Sequence, residues 1–238
     1  PPTPESKKSK GAAGSMAPCG AKFRRGARRV AEAPPFATTP CVISTATLFA
    51  LLLGYLLGSI PFGWVLTRLA GKGDVREIGS GNIGATNVLR TGSKGLAEAT
   101  LVLDCLKATA AILIAARLWP GTENFAAAGA LIGHLYPMWL KFRGGKGVAT
   151  LLGILIPLLP AGAAIYALIW VCLLLTVRIS SVAGLAAAAS APVSAAMFGH
   201  PSEFAMYVGF ALLVIWKHRA NIARLRSGTE PRIGTKTG

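Results

Sequence analysis

Val42-Ile43-Ser44-Thr45-Ala46-Thr47-Leu48-Phe49-Ala50-Leu51-Leu52-Leu53-Gly54-Tyr55-Leu56-Leu57-Gly58-Ser59-Ile60-Pro61-Phe62-Gly63-Trp64-Val65-Leu66-Thr67 contains no Asp, Glu, Lys or Arg. A helix needs ~20 apolar residues to cross ~30 Å of hydrocarbon, and this stretch is long enough. Pro61 interrupts it, because proline removes a helix hydrogen bond and clashes with the preceding turn. Further apolar segments follow at approximately 99–116, 125–140, 148–158, 160–177, 182–199 and 203–216. Several are shorter than a full span, and Pro137, Pro157, Pro160 and Pro192 interrupt or end them. Broken helices are tolerated in a membrane where they line a protein-enclosed cavity. The expected fold is all-α: a polytopic integral membrane protein with seven transmembrane helices and short loops, or five spans with re-entrant pieces.

Composition points the same way. Only 14% of the 238 residues are charged and 53% are hydrophobic, against roughly 25% charged in soluble domains. A net charge of +16 would suit nucleic acid or anionic lipid. Its distribution follows membrane topology, so lipid is the expected partner and nucleic acid is not. Cys19, Cys41, Cys105 and Cys172 show no CxxC spacing, which argues against structural zinc and against a disulfide framework.

Residues 1–40 are rich in Pro, Ala, Ser, Lys and Arg without apolar periodicity. They read as a disordered basic extension preceding a membrane domain over 41–238. The loop 68–98 carries Arg68, Lys72, Arg76, Arg90 and Lys94, and the loop 141–147 carries Lys141, Arg143 and Lys146. With seven spans these share a side with Arg178 and with the tail's Lys217, Arg219, Arg224, Arg226, Arg232 and Lys236. The opposite loops hold only Arg117. Positive charge accumulates on the cytoplasmic side, so these loops and the C-terminus are expected there, with the N-terminus outside. The basic extension is the one element that runs against this bias.

Three polar clusters interrupt the apolar chain. The first is Gly79-Ser80-Gly81-Asn82-Ile83-Gly84-Ala85-Thr86-Asn87-Val88-Leu89-Arg90. Glycines allow backbone N–H groups to approach an anion, and the Arg90 fork suits phosphate. Its G-x-G-x-x-G requires a preceding strand to mean dinucleotide binding, and here it lies between spans. The second is Lys141-Phe142-Arg143-Gly144-Gly145-Lys146-Gly147-Val148-Ala149-Thr150, which places an ammonium and free amides at a helix start without the Walker pattern. The third is the tail 217–230, where His218, Asn221 and Leu225 would share a helical face and Gly228 would end the helix. Inside a span, Asp104 and Lys107 are spaced for an interior ion pair. His134 is expected to be a satisfied interior histidine, and Ser180 and Ser181 to cap a helix.

What is missing narrows the chemistry. Asp74 and Asp104 are the only aspartates, too few converging carboxylates for two-metal phosphotransfer. There is no G-x-S-x-G elbow. No histidine is followed five positions later by aspartate, as the usual thioester-dependent acyltransferase motif requires.

Taken together and in order, GSGNIGATNVLR (79–90), GGKGVAT (144–150) and HRANIARLRSGTE (218–230) resemble the bacterial acyl-phosphate:glycerol-3-phosphate acyltransferase family. Supporting matches are LLGSIPFG (56–63), LDCLK (103–107), GHLYP (133–137) and RISSVAG (178–184). The resemblance implies a seven-span protein of the bacterial inner membrane with its active site facing the cytoplasm. It implies acyl phosphate as donor, glycerol 3-phosphate as acceptor, and neither cofactor nor metal. Lysophosphatidate would be the product, in the first step of phospholipid synthesis. It makes Ser80 and Arg90 essential and assigns Gly144, Gly145, Lys146 and Gly147 to glycerol 3-phosphate. From the third motif it assigns His218 and Asn221 to activity and Glu230 to structural integrity. Ser181 matches a family serine, whereas Gly184 stands where some relatives have another serine.

On these readings Ser80, Arg90, Lys146, His218 and Asn221 are the expected catalytic residues. Gly79, Gly81, Asn82, Gly84, Thr86, Asn87, Gly144, Gly145, Gly147 and Ser181 would bind substrate, with Glu230, Asp104 and Lys107 structural. The base is either His218 or a substrate phosphate oxygen. Functional coupling to an acyl-phosphate-forming enzyme is expected. A transporter for a phosphorylated metabolite is the alternative; it would need polar residues continuing through the spans to the outer face.

Overall fold

A computed structural model describes residues 44–234; the expected extension over 1–40 lies outside the described residues. Each apolar segment beyond that point is a helix. The first forms α1 (Thr45–Gly58) and α2 (Phe62–Leu69), separated at Pro61 as expected. A proline break frees carbonyls that hydrocarbon cannot hydrate. Here Ser59 O accepts from the Trp139 indole at 2.8 Å and Ile60 O accepts from Lys107 Nζ at 2.7 Å. The break is therefore held by two side chains from elsewhere in the chain.

After the short α3 (Ala85–Val88) come α4 (Lys94–Leu118), α5 (Glu123–Leu135), α6 (Val148–Leu158), α7 (Pro160–Thr176), α8 (Ser180–Met197), α9 (Pro201–Lys217) and α10 (Arg219–Arg226). No strand occurs among the described residues, which removes the dinucleotide reading of G-x-G-x-x-G. Three segments, Thr45–Leu69, Lys94–Leu118 and Ser180–Met197, are long and apolar enough to cross a membrane. At ~1.5 Å per residue, α5 and α6 fall short of ~30 Å of hydrocarbon.

In lipid, helices associate through close packing of small residues rather than through the hydrophobic effect. The α1–α5 contact shows this: a Cβ on Gly54 or Gly58 would collide with the backbone of Ala126 or Ala130. In return, Gly129 and Gly133 lie against the backbone at Leu51 and Tyr55. Helix α8 buries Ala183, Ala187, Ala188, Ala191 and Ala195, packing against α7 and α9. Ser180 and Ser181 do not cap it; Ile179 occupies the cap position without a side-chain hydrogen bond. Ser181 instead turns inward to Glu230, because that buried carboxylate offers a stronger, charge-assisted partner.

Candidate active site

The first cluster is organised from within. Asn87 is buried, and its Nδ2 donates to Val75 O, Ile78 O and Asn82 O at 2.7 to 2.9 Å. Its Oδ1 accepts from the Ser80 amide at 3.2 Å and from Ser80 Oγ at 3.4 Å. Asn82 Oδ1 accepts from the Gly84 amide, and its Nδ2 donates to Gly144 O at 3.2 Å. Both asparagines are therefore committed to shaping the loop, and Asn82 ties the first cluster to the second. Gly79 has φ +54, and a Cβ there would strike Arg90 Cδ, so glycine lets Arg90 fold across the loop.

The second cluster is fastened to the end of α5. The amides of Gly144 and Gly145 donate to Leu135 O at 3.3 Å and His134 O at 3.0 Å. A Cβ on Gly145 would run into the His134 ring. These two glycines serve close packing, while Lys146 and Gly147 turn to the cavity side. Behind them, Lys107 Nζ lies 2.7 Å from Asp104 Oδ1 and 3.0 Å from His134 Nδ1, all buried. The expected ion pair thus includes the expected interior histidine.

The third cluster forms as the sequence suggests. α10 ends in a Schellman arrangement: Gly228 has φ +71, its amide donates to Leu225 O, and the Thr229 amide donates to Arg224 O. This reversal returns Glu230 to the helix, where Oε1 accepts from Asn221 Nδ2 and from Ser181 Oγ, and Oε2 from Arg224 Nε at 2.7 Å. Burial alone would raise the Glu230 carboxyl, but these three donors together hold it below the usual range. His218 Nδ1 donates to Val214 O at 2.8 Å, which leaves Nε2 as an acceptor. Burial first, and then Lys146, depress the imidazole to about 4 despite the Val214 bond, so it is neutral at pH 7.

The three clusters meet in one cavity of about 1000 Å³. Ser80, Asn82, Gly84, Thr86, Asn87 and Arg90 line it with Lys146, Gly147, Ser181, His218, Asn221 and Glu230. Asp104 and His134 reach its floor. Gly79, Gly81, Gly144 and Gly145 are outside its wall. Arg90 and Lys146 make no side-chain hydrogen bond or ion pair with the described residues, in contrast to the carboxylates around them. Burial is the largest cause that lowers the Lys146 ammonium, to about 8; Arg224 and Arg90 also lower it, while Glu230 opposes. Two unpaired cations beside a neutral imidazole suit anionic phosphates and a reacting hydroxyl. The sequence reading missed Arg224 and the segment Pro231–Gly234, which also lines the cavity. The turn at Gly228 was the available signal that the chain comes back.

A profile of the glycerol-3-phosphate acyltransferase family matches residues 48–228. The chain belongs to this family. It is 57% identical over 189 residues to the glycerol-3-phosphate acyltransferase of Mesorhizobium japonicum, covering 79% of this chain and 97% of that one. The Brucella anthropi relative of the same name is 53% identical over 197 residues, 83% of this chain and 98% of that one. Among solved structures, PlsY (YgiH), an integral membrane glycerol 3-phosphate acyltransferase, superposes in its glycerol 3-phosphate form with TM-score 0.75 and 39% identity. Its lysophosphatidic acid form gives 0.73 and 38%, and each covers 80% of this chain and 96% of that one. Membership makes this chain a membrane acyltransferase, with a role in phospholipid synthesis.

Proposed function

We propose that this protein transfers an acyl group from acyl phosphate to the 1-hydroxyl of glycerol 3-phosphate, releasing lysophosphatidate and inorganic phosphate. The observation that carries this reading is the pair of unpaired cations, Arg90 and Lys146, lining one cavity with His218. An acyl phosphate is a mixed anhydride, so its leaving group needs little acid assistance. The demanding task is to bring two phosphates together and to stabilise charge on the reacting carbonyl.

In this reading Arg90 and Lys146 neutralise the phosphates, Ser80 and Thr86 orient them, and Asn221 with Glu230 fixes the tail against Ser181. His218 Nε2 takes the hydroxyl proton as the oxygen attacks the carbonyl carbon. The acyl C–O bond then breaks, phosphate leaves, and the proton passes to it. An imidazole near 4 is a weak base by itself, but two bound phosphates would raise it, so basicity develops only when both substrates are present. The similarity to PlsY forms described with glycerol 3-phosphate and with lysophosphatidic acid supports the acceptor and the product. We further propose seven spans with the cavity on the cytoplasmic side of the bacterial inner membrane, supported by the basic loops that line it. An acyl-phosphate-forming enzyme would supply the donor.

The test is phosphate release by purified protein given acyl phosphate, with and without glycerol 3-phosphate. Release that depends on the acceptor, and no transfer from acyl-CoA or acyl carrier protein, is the expected result. Transfer from a thioester alone would overturn the donor assignment.

A further inference from the structure

A second cavity, of about 540 Å³, opens between the break at Pro61 and the turn that follows α5. Trp64, Arg76, Trp139, Lys141 and Arg143 line it, with no carboxylate among its lining residues. Arg76 is held by Asp74 at 2.6 Å and lies over the Trp64 ring at 5.7 Å. Trp139 is fixed by its bond to Ser59 O yet leaves half of its surface exposed. Lys141 and Arg143 are exposed and make no side-chain hydrogen bond or ion pair with the described residues.

The backbone here is unusual. Lys141 and Phe142 have φ values of 52 and 61, two successive non-glycine residues in the left-handed region. Such strain persists where surrounding structure enforces it, and it concentrates at binding sites. Met138 and Phe142, next in the chain to the lining residues Trp139, Lys141 and Arg143, are 52% and 60% exposed. Cations and tryptophans lining a cavity, with exposed apolar residues adjacent in the chain, are the arrangement found where a protein meets lipid headgroups. The loop 141–147 also separates the two cavities: Arg143 lines this one, and Lys146 lines the catalytic one.

We propose that this cavity binds the phosphate headgroup of an anionic membrane phospholipid, with Lys141 and Arg143 on the phosphate, the tryptophans alongside and the acyl chains leaving past Met138 and Phe142. A small soluble phosphate offers the same charge but nothing for the exposed Met138 and Phe142, so the lipid is the better fit. This does not depend on the acyl donor or on the roles given to His218 and Lys146.

The test uses the full chain in phosphatidylcholine vesicles containing brominated phosphatidylglycerol or, as control, brominated phosphatidylcholine, with tryptophan quenching as readout. The anionic lipid should quench at a severalfold lower mole fraction. Lys141→Gln with Arg143→Gln should weaken that preference roughly 5-fold per charge removed, and acyl transfer in neutral vesicles reports that the variant is folded. Trp139→Phe, which keeps the charges and removes one reporter, should lose part of the selective quenching. Inorganic phosphate and glycerol 3-phosphate should not displace the lipid. Equal quenching by both headgroups would overturn the proposal, as would displacement by inorganic phosphate or selective quenching unchanged in both variants.

Discussion

The catalytic cavity holds charge in two conditions. On its loop face, Arg90 and Lys146 have no partner among the described residues, and the second is pulled down in pKa by burial. On its helix and tail faces, Asp104 is paired with Lys107, and Glu230 accepts from Ser181, Asn221 and Arg224. A half-buried, unpaired cation such as Lys146 gains its counter-charge only when an anion arrives, whereas a paired carboxylate already has one and fixes its neighbours. The loop face is therefore built to respond to ligand, and the other two faces to hold shape. Substitutions on the first should change kinetics more than stability, and on the others stability first.

The largest effect is expected at Lys107. Lys107→Met leaves the buried Asp104 without its cation and should cost about 3–5 kcal/mol of stability, read as thermal inactivation in detergent. Adding Asp104→Asn should restore most of it; if it restores nothing, the ion pair is not what stabilises this region. Next is Lys146→Ala, where kcat/KM should fall roughly 10²–10³-fold with a higher KM for a phosphate-bearing substrate. Thermal stability should hardly move, and wild-type kinetics would remove Lys146 from the site. Glu230→Gln keeps acceptors for Asn221 and Ser181 but loses the Arg224 pair, and should cost about 1.5–3 kcal/mol. Substituting Arg224 should give a similar loss, with the double variant less than additive.

The smallest effect is in the pH profile. Lys146 is charged below about 8 in the free protein, so kcat/KM should decline as pH rises through that value. Lys146→Arg should push this limb upward, since guanidinium stays charged. The acidic limb should lie near 4, where His218 gains its proton. Stability has its own pH dependence: the folded pKa of Glu230 is depressed, so its contribution to stability is complete above the ordinary carboxylate range and is lost as pH falls through the depressed folded value. A basic limb that Lys146→Arg does not move would show that another group titrates there.

Much of this was legible in the chain. The apolar runs become helices, Pro61 breaks the first, and Gly228 caps the last, because those features depend on near neighbours in sequence. The convergence of the three clusters followed from their lying on one side. What could not be read was the direction of individual polar side chains. Asn82 and Asn87 look like ligand-binding residues but bond to backbone, Asn87 around its own loop and Asn82 to Gly84 and across to Gly144, since backbone groups nearby compete for them. Gly144 and Gly145 look like a phosphate cradle but pack on His134 and Leu135, a contact that depends on how α5 ends. His134 joins Asp104 and Lys107 only through helix packing, which no local pattern encodes.

The connections between the long helices are unequal. At the ends remote from the cavity, α4 joins α5 through residues 119–122, α6 joins α7 at Leu159 alone, and α8 joins α9 through 198–200. The turns that face the cavity carry the three clusters. Among the described residues the molecule is in effect one-handed: past α1, proteases, antibodies or partner enzymes applied to the clipped side find only these short turns. Whatever delivers substrate from solution has to work from the same side as the chemistry.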